Sequence, residues 1–188
     1  MPDTQQGAIE RIDNGYVIRF ERFYPSPIDT VWRALTEPEQ LKQWTGAGEV
    51  ELDLVPGGRF ISRVTGPQEL IDAILAEGGA LETTDTILRV EAPRLLEHTF
   101  SGSADSVVRW ELTPGPEGCV LRLTHTEHAD TGGAQKASFL AGWHDLLDSI
   151  GEVLAGTREG GTWSLERWET YKQRYSEQVG IEPPSKSS

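Results

Sequence analysis

The sequence predicts an α+β domain in which one long amphipathic helix lies against a curved antiparallel sheet. Three observations carry that expectation. From Ala134 to Gly156, AQKASFLAGWHDLLDSIGEVLAG, the residues Phe139, Trp143, Leu146, Leu147, Ile150, Val153 and Leu154 recur at steps of three and four. At 3.6 residues per turn these make one broad apolar stripe that needs a large apolar partner. Upstream, short segments alternate apolar with polar residues between Gly and Pro turns, the period of half-buried strands. A chain of 188 residues is compatible with one domain plus an appended element, and is long enough to bury a real core. His144, Asp145, Asp148 and Glu152 fall opposite the stripe, and the expectation for them is a solvated acidic face.

Composition removes several classes of function. With 17 basic against 30 acidic residues the formal charge is -13, which opposes phosphate backbones and anionic membrane surfaces, so neither nucleic acid nor membrane insertion is expected. The single cysteine, Cys119, allows no internal disulfide framework and suits a reducing compartment, so a cytoplasmic location is expected. No run of about 18 apolar residues occurs, and the first residues lack an apolar signal core.

Taken in order, residues 1–14 carry little hydrophobic pattern and are expected to be flexible. Tyr16 to Phe23 alternates as a strand. Ser26, Pro27 and Asp29 read as a helix start, with Ser26 as the cap, and Thr36 with Glu39 repeats the device for a second short helix ending near Trp44. Val50, Leu52 and Leu54 form one strand, and Pro56-Gly57-Gly58 turns into another with Phe60, Ser62 and Val64 on one face. Leu70, Ile71, Ile74 and Leu75 suggest an inserted short helix before Gly78-Gly79. Four more strands follow, carrying Thr86, Leu88 and Val90; Leu96, His98 and Phe100; Val108, Trp110 and Leu112; and Leu121, Leu123 and His125. After the long helix, Leu165, Trp168, Tyr171, Tyr175 and Val179 mark a last amphipathic helix packing on the outside. The tail from Glu182 lacks apolar residues beyond its prolines and is expected to be disordered.

Three stretches carry a resemblance: Arg22 to Trp44, RFYPSPIDTVWRALTEPEQLKQW; Val55 to Phe60, VPGGRF; and Ala141-Gly142-Trp143 with the helix it begins. Over Tyr16 to Gly156 the chain resembles bacterial proteins related to the C-terminal domain of the activator of Hsp90 ATPase, within the START-like (SRPBCC) superfamily. The resemblance implies a helix-grip fold, a seven-stranded antiparallel sheet wrapped around a long C-terminal helix, with an apolar cavity often lying between them. Pattern and resemblance together divide the chain into a flexible N-terminus (1–14), a START-like domain (15–156), an appended helix packing on the domain (157–180) and a disordered tail (181–188). The insertion at 67–80 and the helix after Gly161 depart from the family pattern.

Candidate chemistry is sparse. His125 and His128 are three apart in a strand and so point to opposite faces, which leaves no metal pair without a bulge. Cys119 has no basic neighbour in sequence to activate it, Gly57-Gly58 lacks the lysine of a phosphate loop, and no catalytic set or cofactor is expected. The inward set Phe60, Trp110, Phe139, Trp143, Leu147 and Ile150, with Trp44 beside it and His98 and His125 among it, is the expected ligand-binding site for an apolar or aromatic small molecule. Two alternatives stand beside it. One is a cyclase or hydrolase using a cavity histidine as general acid or base; the other is a protein-interaction module, with a chaperone partner, using the acidic surface and the Trp163 to Tyr175 segment. A homodimer is left open.

Overall fold

A computed structural model of the chain describes residues 6–66, 68–76, 78–158 and 164–180. The expectations for the tail and for Trp163 lie outside the described residues. The elements run β1 (Ala8–Ile12), β2 (Gly15–Tyr24), α1 (Ile28–Thr36), α2 (Pro38–Thr45), β3 (Ala47–Leu52), β4 (Arg59–Val64), α3 (Gln68–Ala76), β5 (Glu82–Glu91), β6 (Leu95–Phe100), β7 (Ser103–Gly115), β8 (Gly118–Glu127), α4 (Gly132–Leu154) and α5 (Leu165–Gln178). The strands form one antiparallel sheet in the order β1-β2-β8-β7-β6-β5-β4-β3. α4 lies across its concave face.

The eighth strand is the one the alternation does not show. β1 pairs antiparallel with β2 through the turn at Asp13-Asn14, although its sequence AIERI puts Ile9 and Ile12 three apart with charges between. The segment expected to be flexible therefore contains an edge strand. Gly15 closes that turn at φ 118°, and a Cβ there would lie 1.9 Å from the Glu127 carbonyl oxygen, so only glycine fits.

Strand β5 differs in its faces. Thr86 and Leu88 point outward, Leu88 being 41% exposed, while Asp85 and Ile87 point into the core. The cause is a register shift between Ile87 and Arg89 of β5 in its pairing with β6: a bulge lets Ile87 and Val90 both turn inward, which strict alternation forbids. Neither expected hydroxyl cap forms. Pro27 and Glu37 occupy the N-cap positions of α1 and α2, and the Thr36 hydroxyl instead donates back to the Trp32 carbonyl at 2.8 Å. Pro38, preset for the first helical turn, pushes the cap to the residue before it.

The long helix is pinned to β2 at two points. Tyr16 Oη and Thr131 Oγ1 share a hydrogen bond of 2.8 Å at its start, and Tyr24 Oη donates to the Leu147 carbonyl at 2.7 Å further along. Burial drives both phenols upward, Tyr16 to about 12. The helix face expected to be solvated is covered instead: Asp145 is 1% exposed, His144 is buried, and α5 lies over them. Arg167 of α5 forms an ion pair with Asp145 and donates to Glu152 Oε1 at 2.6 Å and Ser149 Oγ at 2.7 Å. Tyr171 donates to Asp148, and its ring stacks on His144 with centroids 4.1 Å apart. Arg22 of β2 approaches Asp148 from the sheet side, Nε to Oδ1 at 3.8 Å. The acids answer arginines that lie far off in sequence, which is why charge alone placed them in water.

Candidate functional site

Strands β3 to β7 and helices α1, α2 and α4 do not meet in solid packing. A cavity of about 220 Å³ remains between them. Val50, Phe60, Leu96 and Trp110 bound it on the sheet side, Leu35, Leu41 and Trp44 of the short helices at one flank, and Trp143 and Leu146 of α4 on the other side. The three indoles form a continuous aromatic wall. Trp44 meets Trp110 edge to face at 6.0 Å between centroids, and Trp110 meets Trp143 at 5.6 Å and 81°.

Each indole N–H is satisfied within the protein, so these side chains turn apolar carbon toward the space. Trp44 Nε1 donates to the Ala34 carbonyl at 2.8 Å, Trp110 Nε1 to His98 Nε2 at 3.1 Å, and Trp143 Nε1 to His125 Nδ1 at 3.0 Å. Because an indole nitrogen can only donate, the two histidine tautomers follow. His98 carries its proton on Nδ1, which donates to the Thr99 carbonyl at 2.6 Å; His125 carries its proton on Nε2, which donates to Ser106 Oγ at 2.8 Å. Burial pulls both imidazoles down to about 4, with His98 adding to the effect on His125. They are neutral, and neither ring nitrogen is left over. The pairing follows from register: His98 and His125 flank Val108 on adjacent strands, with Trp110 two residues along on the same face.

Polar groups in the lining gather on one side. Ser62 Oγ and Thr83 Oγ1 share a hydrogen bond of 2.9 Å across β4 and β5, and beside them stands Asp85, opposite Phe60 in register and 6% exposed. Asp85 Oδ1 accepts from Thr99 Oγ1 at 3.1 Å and from Gly102 N at 2.8 Å, gathering in the β6–β7 turn where Ser101 adopts φ 53°. Burial raises the Asp85 carboxyl despite these bonds.

A second, outer cleft of about 440 Å³ shares Thr45, Val64, Ala80, Ser101 and Leu146 with the cavity and is bounded by both departures from the family pattern. Ala73 and Ile74 of the inserted helix α3 form one wall, Gln135, Ser138, Phe139 and Gly142 of α4 another, and Trp168 of α5 reaches its rim. Gly142 has open space where its Cβ would project.

Of the residues expected from the sequence, Trp44, Phe60, His98, Trp110 and Trp143 line the inner cavity and Phe139 lines the outer cleft. His125, Leu147 and Ile150 are fully buried and border neither space. Asp85, Ser62 and Thr83 were missed. The signal for Ser62 was present, since it shares a face with Phe60 and Val64, whereas Asp85 was hidden by the bulge. Cys119 is buried and its thiol is pushed up by burial, the opposite of activation. Among the described residues no group of three or more His, Cys, Asp or Glu is placed to hold a metal ion, and no helix is long and apolar enough to cross a membrane.

An eight-stranded antiparallel sheet holding a long C-terminal helix across its concave face is a helix-grip domain of the START-like class. Residues 25–155 match the family described as Activator of Hsp90 ATPase homolog 1-like protein, and the chain belongs to that family. Among solved structures it is similar to the protein encoded by gene BPP1335 of Bordetella parapertussis, with 32% identity, a TM-score of 0.67 and coverage of 94% of this chain and 92% of that one. CalU16 of Micromonospora echinospora has the same fold at 23% identity and a TM-score of 0.63, covering 93% of this chain and 98% of its own. A conserved protein of unknown function, EF2215 of Enterococcus faecalis, has it at 17% identity and a TM-score of 0.69, over 96% and 95%. No curated protein matches the sequence.

Proposed function

We propose that the protein is a small-molecule binding domain whose cavity, between α4 and strands β3 to β7, takes an apolar or aromatic ligand. The observation that carries this is a pocket of about 220 Å³ bounded by Trp44, Trp110 and Trp143, all with their N–H groups already engaged. A concave space walled by aromatic and aliphatic side chains, with few polar groups among them, is the form small-molecule sites take. A ligand there would gain roughly 25 cal/mol for each Å² of apolar surface removed from water. The outer cleft under α3 is the route of entry.

Catalysis by a cavity histidine ranks below binding because both ring nitrogens of His98 and His125 are used and both rings stay neutral at ordinary pH. Docking of a chaperone on an acidic stripe ranks below it because Asp145, Asp148 and Glu152 are engaged by α5. The test is a thermal-shift and native mass-spectrometry titration with naphthalene-type probes against wild type and Val50→Phe, which fills the cavity from β3. Saturable binding to the wild type alone supports the proposal. Equal binding to both proteins, or to neither, overturns it.

A further inference from the structure

We propose that Asp85 selects the ligand's head group: the cavity takes a small aromatic or alicyclic molecule bearing an ammonium or hydroxyl donor, and rejects the corresponding carboxylate. This rests on the cavity being a ligand site and names the chemistry of what enters it.

The polar inventory of the lining is one-sided. His98 and all three indoles spend their hydrogen-bonding atoms on protein partners, so the aromatic end of the cavity has no polar group left to orient a ligand. At the β4–β5 end lie the Ser62 and Thr83 hydroxyls bonded to one another, the Asp85 carboxyl and Ser101 of the adjoining turn, while the Thr45 hydroxyl in the lining is spent on the Leu41 carbonyl. No Lys, Arg or His pairs with Asp85 among the described residues, and the groups that act on it are the backbone and Thr99. A buried acid without a counter-cation is costly, and proteins keep such groups paired or neutral. Holding the β6–β7 turn needs an acceptor rather than a charge, and asparagine would supply one. What the carboxyl adds is an acceptor able to take a charge-assisted bond from a ligand donor. It equally sets a repulsive element against an anionic head. The net charge of -13 acts in the same sense at longer range, raising the local concentration of cations over anions.

The experiment uses one ring, bare and with three heads: naphthalene, 1-naphthylmethanol, 1-naphthylmethylamine and 1-naphthoate, titrated calorimetrically into wild type and Asp85→Asn. The asparagine Oδ1 can accept the bonds from Thr99 and Gly102, and because the Asp85 carboxyl also takes the Ser101 backbone N–H, the melting temperature of the variant is measured beside the titrations to show that the turn holds. In the wild type the amine and alcohol should bind at least about tenfold tighter than the carboxylate, a difference of one decade in Kd. In Asp85→Asn the carboxylate should come within about threefold of the alcohol while naphthalene is unaffected. A wild type that binds 1-naphthoate as well as the amine, or a ratio unchanged by Asp85→Asn, overturns the head-group proposal and leaves the cavity standing. If naphthalene itself fails to bind the wild type, the cavity reading falls and this one with it.

Discussion

Lowering pH should unfold this protein through the two histidines that anchor its tryptophans. His98 and His125 titrate near 4 in the folded chain, against an ordinary value of 6.5. Below 6.5 the unfolded chain therefore binds protons that the folded chain refuses, and stability falls as pH falls, over the window from 6.5 down to 4. A gap of about 2.5 units at 1.36 kcal/mol per unit amounts to roughly 3 kcal/mol per histidine when complete. By pH 5 the loss should be about 2 kcal/mol each, or about 4 together, a large share of the 5–15 kcal/mol typical of a domain. Asp85 and Asp145 act in the opposite direction, since their raised carboxyls take protons first in the folded state, but that gain begins nearer the carboxylate range. The assay is urea unfolding between pH 7.5 and 5, with the imidazole Cε1–H resonances followed in parallel. His98→Gln keeps an acceptor for Trp110, and His125→Asn keeps one for Trp143. Each should remove close to one proton from the slope, or about 1.4 kcal/mol per pH unit. A flat profile from pH 7 to 5, or folded-state imidazoles of His98 and His125 shifting near pH 6.5, would refute the buried neutral pairs.

Three further outcomes follow from the packing. Trp110→Phe leaves His98 Nε2 buried without its donor, which should cost about 1–3 kcal/mol beyond the lost ring volume and be visible as a lower urea midpoint with an unchanged slope. Arg167→Ala strips the cation from Asp145, which is 1% exposed, and should destabilise by about 3–5 kcal/mol, with hydrogen exchange rising first along α5. Gly142→Leu projects into open space in the outer cleft and replaces a helical glycine, so stability should hold or rise by up to about 1 kcal/mol while ligand association slows several fold; a fall in melting temperature would contradict the placement of Gly142.

The sequence showed which residues face one another wherever a simple period ran unbroken. Trp110 and Trp143 meet as their strand and helix positions imply, and so do Phe60 and His98. It failed where a local irregularity or a distant partner decided the outcome. The bulge after Ile87 turned Asp85 inward, an event visible only once β5 and β6 are paired. β1 has too few apolar residues to reveal a period and forms because β2 offers it an edge. The acids of α4 looked solvated because Arg167 and Tyr171, which cover them, lie some twenty residues later on a different helix. The inward-facing histidines are satisfied by partners that spacing does not name: Trp110 on the neighbouring strand for His98, and Trp143 on α4 for His125.

The most direct test of the cavity is the proton NMR of the indole N–H groups during a naphthalene titration. Ligand protons should show nuclear Overhauser contacts to the rings of Trp44, Trp110 and Trp143, while the Trp110 and Trp143 N–H resonances shift saturably and keep their slow exchange. Contacts confined to Phe139, Ile74 and Trp168 in the outer cleft, or no saturable shift at all, would show that the space beneath α4 does not admit a guest.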